Sequence, residues 1–122
     1  MRARDVMSTP VLTARESWSV QWAAQALARN GFTALPVVDE NERLVGIVTE
    51  ADLVPDHLDG SRSRPETVGG AMSTDVVSVP AHLDVAVVAH RMRSLGVRAV
   101  PVVDHGRVAG IITRRDLLAA QG

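Results

Sequence analysis

Two stretches of this sequence gather the residue types that recognise a sugar hydroxyl or an anion. Gly110-Ile111-Ile112-Thr113-Arg114-Arg115-Asp116 and Gly46-Ile47-Val48-Thr49-Glu50-Ala51-Asp52 each pass from an apolar run through a threonine to an aspartate three places further on. A carboxylate accepts hydrogen bonds from vicinal hydroxyls. A helix opening just after the threonine presents orphan N–H groups and the positive end of its dipole to a nearby anion. The same Thr-x-x-Asp spacing also approximates a capping box, in which the threonine caps the helix and the acid bonds back. The same atoms serve both readings, so one copy of the motif leaves cap and site open.

The elements that must position these corners are themselves duplicated. Val6-Met7-Ser8-Thr9-Pro10-Val11 corresponds to Ala71-Met72-Ser73-Thr74-Asp75-Val76, and Ala34-Leu35-Pro36-Val37-Val38-Asp39 to Ala99-Val100-Pro101-Val102-Val103-Asp104, both at an offset of 65 residues. After the turn the offset becomes 64, a single deletion of the kind surface loops tolerate. Val11-Leu12-Thr13 and Val76-Val77-Ser78 read as short strands. Val20, Ala23, Ala24 and Leu27, like Val85, Val88, Ala89 and Met92, follow the i, i+3, i+4, i+7 spacing of a helix face. Ser19 and Asp84 are favourable N-caps at the same aligned position. Trp18 and Leu83 precede them, placed to pack on Ala23 and Val88 as hydrophobic staples. Gly31 and Gly96 end the two helices.

The apolar runs Ala34 to Val38 and Leu44 to Val48, separated by a polar turn, predict a hairpin, and the second copy repeats it. Pro36 and Pro101 cannot donate a ladder hydrogen bond, which predicts edge or bulged strands there. A short helix is expected from Thr49 and from Thr113. The expected fold class is α+β: residues 1–54 as one repeat, 55–70 as a Pro-, Gly- and Ser-rich linker with a helical turn at Asp56 to Leu58, and 71–122 as the second repeat. Each repeat reads strand, helix, strand, strand, helix. Packing the two sheets together about a pseudo-twofold axis is the expected way to bury both apolar faces.

Composition narrows the function classes. Aromatics are 2% of the 122 residues and the net charge is −1, which leaves neither stacking platforms nor the basic excess of a nucleic-acid binder. The absence of cysteine removes disulfides, thiolate metal sites and thiol nucleophiles. All 13 basic residues are arginine, so no lysine is available for Schiff-base chemistry. His57, His82, His90 and His105 have no metal-ligand spacing, and no metal is expected. No apolar run approaches the roughly 18 residues of a membrane span. A cytoplasmic, soluble chain is the expectation. Met7 and Met72 read as core filler, and Trp18 and Trp22 as core or helix packing, or else as dimer contacts. No nucleophile context, Walker motif or dinucleotide pattern is present, so no enzymatic activity is expected.

The duplicated pattern Pro-Val-Val-Asp, polar turn, Val-Gly-Ile-Val-Thr-x-x-Asp-Leu closely resembles the CBS domain, which occurs in tandem as a Bateman module. The resemblance covers about residues 6 to 54 and 71 to 120. It implies a non-catalytic regulatory module that takes AMP, ADP, ATP or S-adenosylmethionine in clefts between the repeats, with no cofactor. It signals to an unknown regulated protein by a change in repeat or dimer arrangement. It further implies that Asp52 and Asp116 hold ribose hydroxyls with Thr49 and Thr113 beside them. The adenine would be lined by Val11, Thr13 and Pro36 at one site and by Val76, Ser78 and Pro101 at the other, with Arg98 toward phosphate. Homodimers are common among such pairs. The other class of function consistent with the sequence is a ligand-independent homodimeric interaction module.

The copies differ in charge where phosphate would lie. Arg98, Arg114 and Arg115 stand where the first copy has Thr33, Glu50 and Ala51. An arginine bonds phosphate with charge assistance, whereas glutamate repels it. The Thr113–Asp116 corner is therefore the expected nucleotide site, and the Thr49–Asp52 corner the weaker one.

Overall fold

The apolar runs on either side of each polar turn form two β-hairpins, and both amphipathic stretches form helices. These belong to a mixed α+β fold seen in a computed structural model that describes residues 1–54 and 65–121. In chain order the first elements are α1 (Ala3–Val6), α2 (Val20–Asn30), β1 (Ala34–Val38), β2 (Leu44–Thr49) and α3 (Glu50–Leu53). Then follow α4 (Val68–Ala71), β3 (Val79–Pro80), α5 (Val85–Leu95), β4 (Ala99–Asp104), β5 (Arg107–Thr113) and α6 (Arg114–Gln121). The helical turn expected at Asp56 to Leu58, and His57 with it, lie outside the described residues. Among the described residues no helix is long and apolar enough to cross a membrane.

The chain divides into two compact units that alternate along the sequence. The first comprises Met1–Val11, Glu42–Leu44 and Val77–Gly122, the second Leu12–Asn41 and Val45–Val76. In the first unit β3, β4 and β5 form a sheet in that order, with β3 parallel and β5 antiparallel to β4. Its core is Ala3, Val79, Ala81, Val88, Met92, Val100, Val102 and Ile112. Helix α1 belongs to this core although it lies at the start of the chain. The Ala3 and Arg4 N–H groups donate to the Leu83 and Ala81 carbonyls at 2.7 and 3.0 Å, and Val85 N–H donates to the Met1 carbonyl at 2.9 Å. Orphan N–H groups at the starts of α1 and α5 are thereby satisfied by neighbouring loops.

The second unit repeats the scheme. Its core is Ala14, Ala23, Ala26, Leu27, Leu35, Val37, Val48, Leu53 and Val68. Here α4 takes the role of α1: Val68 N–H donates to the Trp18 carbonyl at 2.8 Å, and Val20 N–H to Glu66 at 3.0 Å. Neither α1 nor α4 was expected, because four residues are too few to show a helical period and α4 contains two glycines, which disfavour helix.

Caps and stops form as the sequence leads one to expect. The Ser19 hydroxyl accepts from Trp22 N–H at 3.1 Å and the Asp84 carboxylate from Ala86 N–H at 2.8 Å. Gly31 and Gly96 adopt left-handed backbone, with φ of 64° and 67°. Other expectations need correction. Ala24 faces solvent, and Ala26 takes its place in the buried stripe. Trp18, placed by the sequence to staple onto Ala23, is 41% exposed and meets Trp22 edge-on, ring centroids 4.5 Å apart.

Val11-Leu12-Thr13 and Val76-Val77-Ser78 are not strands. Pairing starts beyond them, as a parallel bridge from Ala14 to Val37 and as β3 from Val79. The prolines explain the delay. β4 is the central strand of its sheet, not an edge, but β3 pairs only with Val102 and Val103, just past Pro101. The missing N–H therefore falls where no neighbour asks for it. A bulge follows between Val102 and Val103. In the second unit Ala14 N–H donates to the Pro36 carbonyl at 2.9 Å and Val38 N–H returns to the Ala14 carbonyl at 2.9 Å, so pairing again uses the acceptor that proline retains.

Candidate functional site

The β5-to-α6 corner of the first unit is a closed capping box. Thr113 N–H and its hydroxyl both donate to Asp116 Oδ2, at 2.8 and 3.1 Å, while Asp116 N–H donates to the Thr113 hydroxyl at 3.3 Å. The backbone N–H of Arg114, at the first position of α6, donates to the Arg98 carbonyl at 3.3 Å. That bond ties the segment after α5 to the corner. The side chains of Arg98, Arg114 and Arg115 are exposed, and none of these three side chains makes a hydrogen bond or ion pair among the described residues. Unpaired arginines beside a helix start form a local positive field.

The other Asp116 oxygen is also taken. The Ser8 hydroxyl donates to Asp116 Oδ1 at 2.7 Å. Ser8 is held there by its backbone, whose N–H donates to the Ile111 carbonyl at 2.8 Å and whose carbonyl accepts from Ile111 N–H at 3.3 Å. Nothing local in the sequence announced this partner, which lies 108 residues away. The usable signal was the duplicated Met-Ser-Thr, which recurs at Met72-Ser73-Thr74.

The β2-to-α3 corner of the second unit has the same box with fewer partners. Thr49 N–H and hydroxyl donate to Asp52 Oδ2 at 2.8 and 3.0 Å. Glu50 N–H donates to the Thr33 carbonyl at 3.4 Å, as Arg114 does to Arg98. Ser73 pairs with Ile47 through two backbone bonds of 2.9 Å, yet its hydroxyl makes no bond to Asp52 among the described residues. Asp52 is exposed, whereas Asp116 is half-buried.

Of the remaining expected site residues, Ser78 belongs to the first unit with Pro101, and Thr13 to the second with Pro36. Val11 falls in the first unit and Val76 in the second. Val11, Thr13, Val76 and Ser78 are half-buried, while Pro36 and Pro101 are fully buried. Among the described residues no group of three or more histidines and acids is placed to hold a metal ion.

A family model for the CBS domain matches residues 3–55 and 68–122. The L-aspartate semialdehyde sulfurtransferase of Methanocaldococcus jannaschii is 33% identical over 115 residues, 93% of this chain, and the chain spans only 22% of that protein's length. Two solved structures are similar along nearly their whole length. A CBS domain pair in complex with 5′-methylthioadenosine and S-adenosyl-L-methionine aligns with a TM-score of 0.86 and 32% identity, covering 100% of this chain and 96% of that one. CBSX2 in complex with AMP aligns with a TM-score of 0.88 and 29% identity, covering 98% and 95%. The duplicated hairpins, the two Thr-x-x-Asp corners and these matches lead to one conclusion: this chain belongs to the CBS domain family and carries two copies of the domain.

Proposed function

We propose that this chain is a non-catalytic regulatory module that binds adenosine-containing small molecules such as AMP, ADP, ATP or S-adenosylmethionine in the cytoplasm. The supporting observation is the corner that places a threonine and an aspartate at a helix start, twice, in a chain similar end to end to structures solved with AMP or with methylthioadenosine and S-adenosylmethionine. Asp116 and Asp52 take ribose hydroxyls, with Thr113 and Thr49 beside them. Ser78, Val76 and Pro101 flank one adenine, and Val11, Thr13 and Pro36 the other. Arg98, Arg114 and Arg115 meet the phosphates, which makes the Asp116 corner the nucleotide site and the Asp52 corner the weaker one. Ligand binding shifts the population of repeat or dimer arrangements, and a regulated protein reads the shift.

A thermal-shift titration with AMP, ATP and S-adenosylmethionine tests this reading. A ligand at 100 times its Kd adds about 2.7 kcal/mol of stability. No shift with any adenosyl compound would favour a second reading, a ligand-independent homodimeric interaction module. Exposed Leu95 on α5 and Leu118 on α6, 57% and 68% accessible, favour that reading. Sedimentation equilibrium then reports the dimer directly.

A further inference from the structure

The two corners differ in a property that their charges do not predict, namely how many acceptor positions each aspartate has left. An ionised carboxylate offers about four lone-pair positions. In Asp116, Oδ2 already accepts from Thr113 N–H and from the Thr113 hydroxyl, and Oδ1 accepts from Ser8. About one position remains. In Asp52 the same two threonine donors fill Oδ2, and no bond to Oδ1 exists among the described residues.

A ribose presents a vicinal diol that donates two hydrogen bonds to one carboxylate. The Asp52 corner has room for both, and the Asp116 corner does not while Ser8 is in place. We propose that Ser8 is a specificity-determining residue of the Asp116 corner. Its hydroxyl occupies the position a second ribose hydroxyl would use, so a diol must displace it, whereas a ligand with a single hydroxyl does not compete. This rests on the reading above that Asp116 takes ribose.

Two features make the displacement selective for the side chain. Ser8 is held by paired backbone bonds with Ile111, so the hydroxyl can rotate away while the segment stays in place. Ser8 is also exposed, so the released hydroxyl is satisfied by water. The cost of displacement is thus that of one net hydrogen bond rather than of a buried orphan.

The test is calorimetric titration of AMP and 2′-deoxy-AMP into the full chain carrying Asp52→Ala, which isolates the Asp116 corner, with Ser8 present or replaced. Ser8→Ala is expected to tighten AMP about three- to tenfold, the scale of one net hydrogen bond, and to leave 2′-deoxy-AMP within about twofold. Ser8→Thr keeps the hydroxyl and is expected to keep the parent ratio of the two affinities, which separates loss of the hydroxyl from disturbance of the segment. Equal tightening of both ligands, no change, or weaker AMP binding in Ser8→Ala would overturn the proposal. AMP binding to the wild-type chain that disappears entirely with Asp52→Ala would overturn it too, while leaving the adenosyl reading standing. Absence of AMP binding from the wild-type chain as well would defeat that reading itself.

Discussion

Met7 lies directly on Gly110. A Cβ built on that glycine would come within 2.6 Å of the Met7 sulfur and 3.0 Å of the Ser8 carbonyl oxygen. Gly46 has the same relation to its partners in the second unit, at 2.5 Å from the Met72 sulfur and 3.0 Å from the Ser73 carbonyl oxygen. The glycine of each Val/Ala-Gly-Ile run is therefore there for close approach: the Met-Ser segment pairs with the following isoleucine, and no side chain fits beneath it.

Gly110→Ala and Gly46→Ala are each expected to destabilise the chain by about 1–3 kcal/mol, the usual range for overpacking. The methionine can swing aside, but the serine carbonyl is backbone and must move with its segment. Urea unfolding measures the effect. A loss under about 0.5 kcal/mol would mean that the segment yields freely.

Gly31 and Gly96 should respond for a different reason. Nothing lies within 4 Å of a Cβ at either, but φ is 64° and 67°. Alanine there is expected to cost about 1–2 kcal/mol from left-handed backbone alone. Asparagine, which tolerates that region, should recover part of the loss. Equal unfolding midpoints for the alanine and asparagine variants would argue against a purely conformational cause.

Deleting residues 1–8 removes fully buried Ala3, the bonds of α1 to the loop before α5, and the Ser8 bridge to Ile111. The first unit should lose several kcal/mol, since a cavity opens where Ala3 was and orphan groups appear at Ala81, Leu83 and Val85. Hydrogen exchange is the discriminating measurement. Faster exchange is expected at Val85 and Ile111, whose N–H groups lose their acceptors, and an unchanged pattern there would contradict the assignment of this segment to the first unit.

The arginines should control anion charge preference. Replacing Arg98, Arg114 and Arg115 together by glutamine is expected to weaken ATP more than adenosine, by roughly tenfold or more if at least one charge-assisted bond is made. The exposed positions make a folding effect small. Parallel titrations of ATP and adenosine give the ratio, and equal loss of both would place phosphate elsewhere.

Much of the local structure was legible because it obeys short-range rules. The i, i+3, i+4, i+7 stripes and the caps Ser19 and Asp84 located α2 and α5, Gly31 and Gly96 marked their ends, and the polar turns between apolar runs located both hairpins. The Thr-x-x-Asp corners were legible for the same reason, as their bonds span three residues. Duplication then carried the family, since one pattern written twice is far more specific than either copy.

What tertiary structure alone decided depends on which distant segments meet. Whether Pro101 lies in a central strand depends on how far β3 extends alongside β4, which no property of Pro101 encodes. That α1 completes the core of Val79 and Val88, and α4 that of Val37 and Val48, follows from backbone groups and one buried side chain each, too little to leave a period in four residues. The state of Asp116 is the sharpest case. Its capping partner is three residues away and readable, but the hydroxyl on its other oxygen comes from Ser8. A hydrogen bond of that kind has no sequence periodicity, because it is set by where the Met7–Gly110 contact lays the chain down.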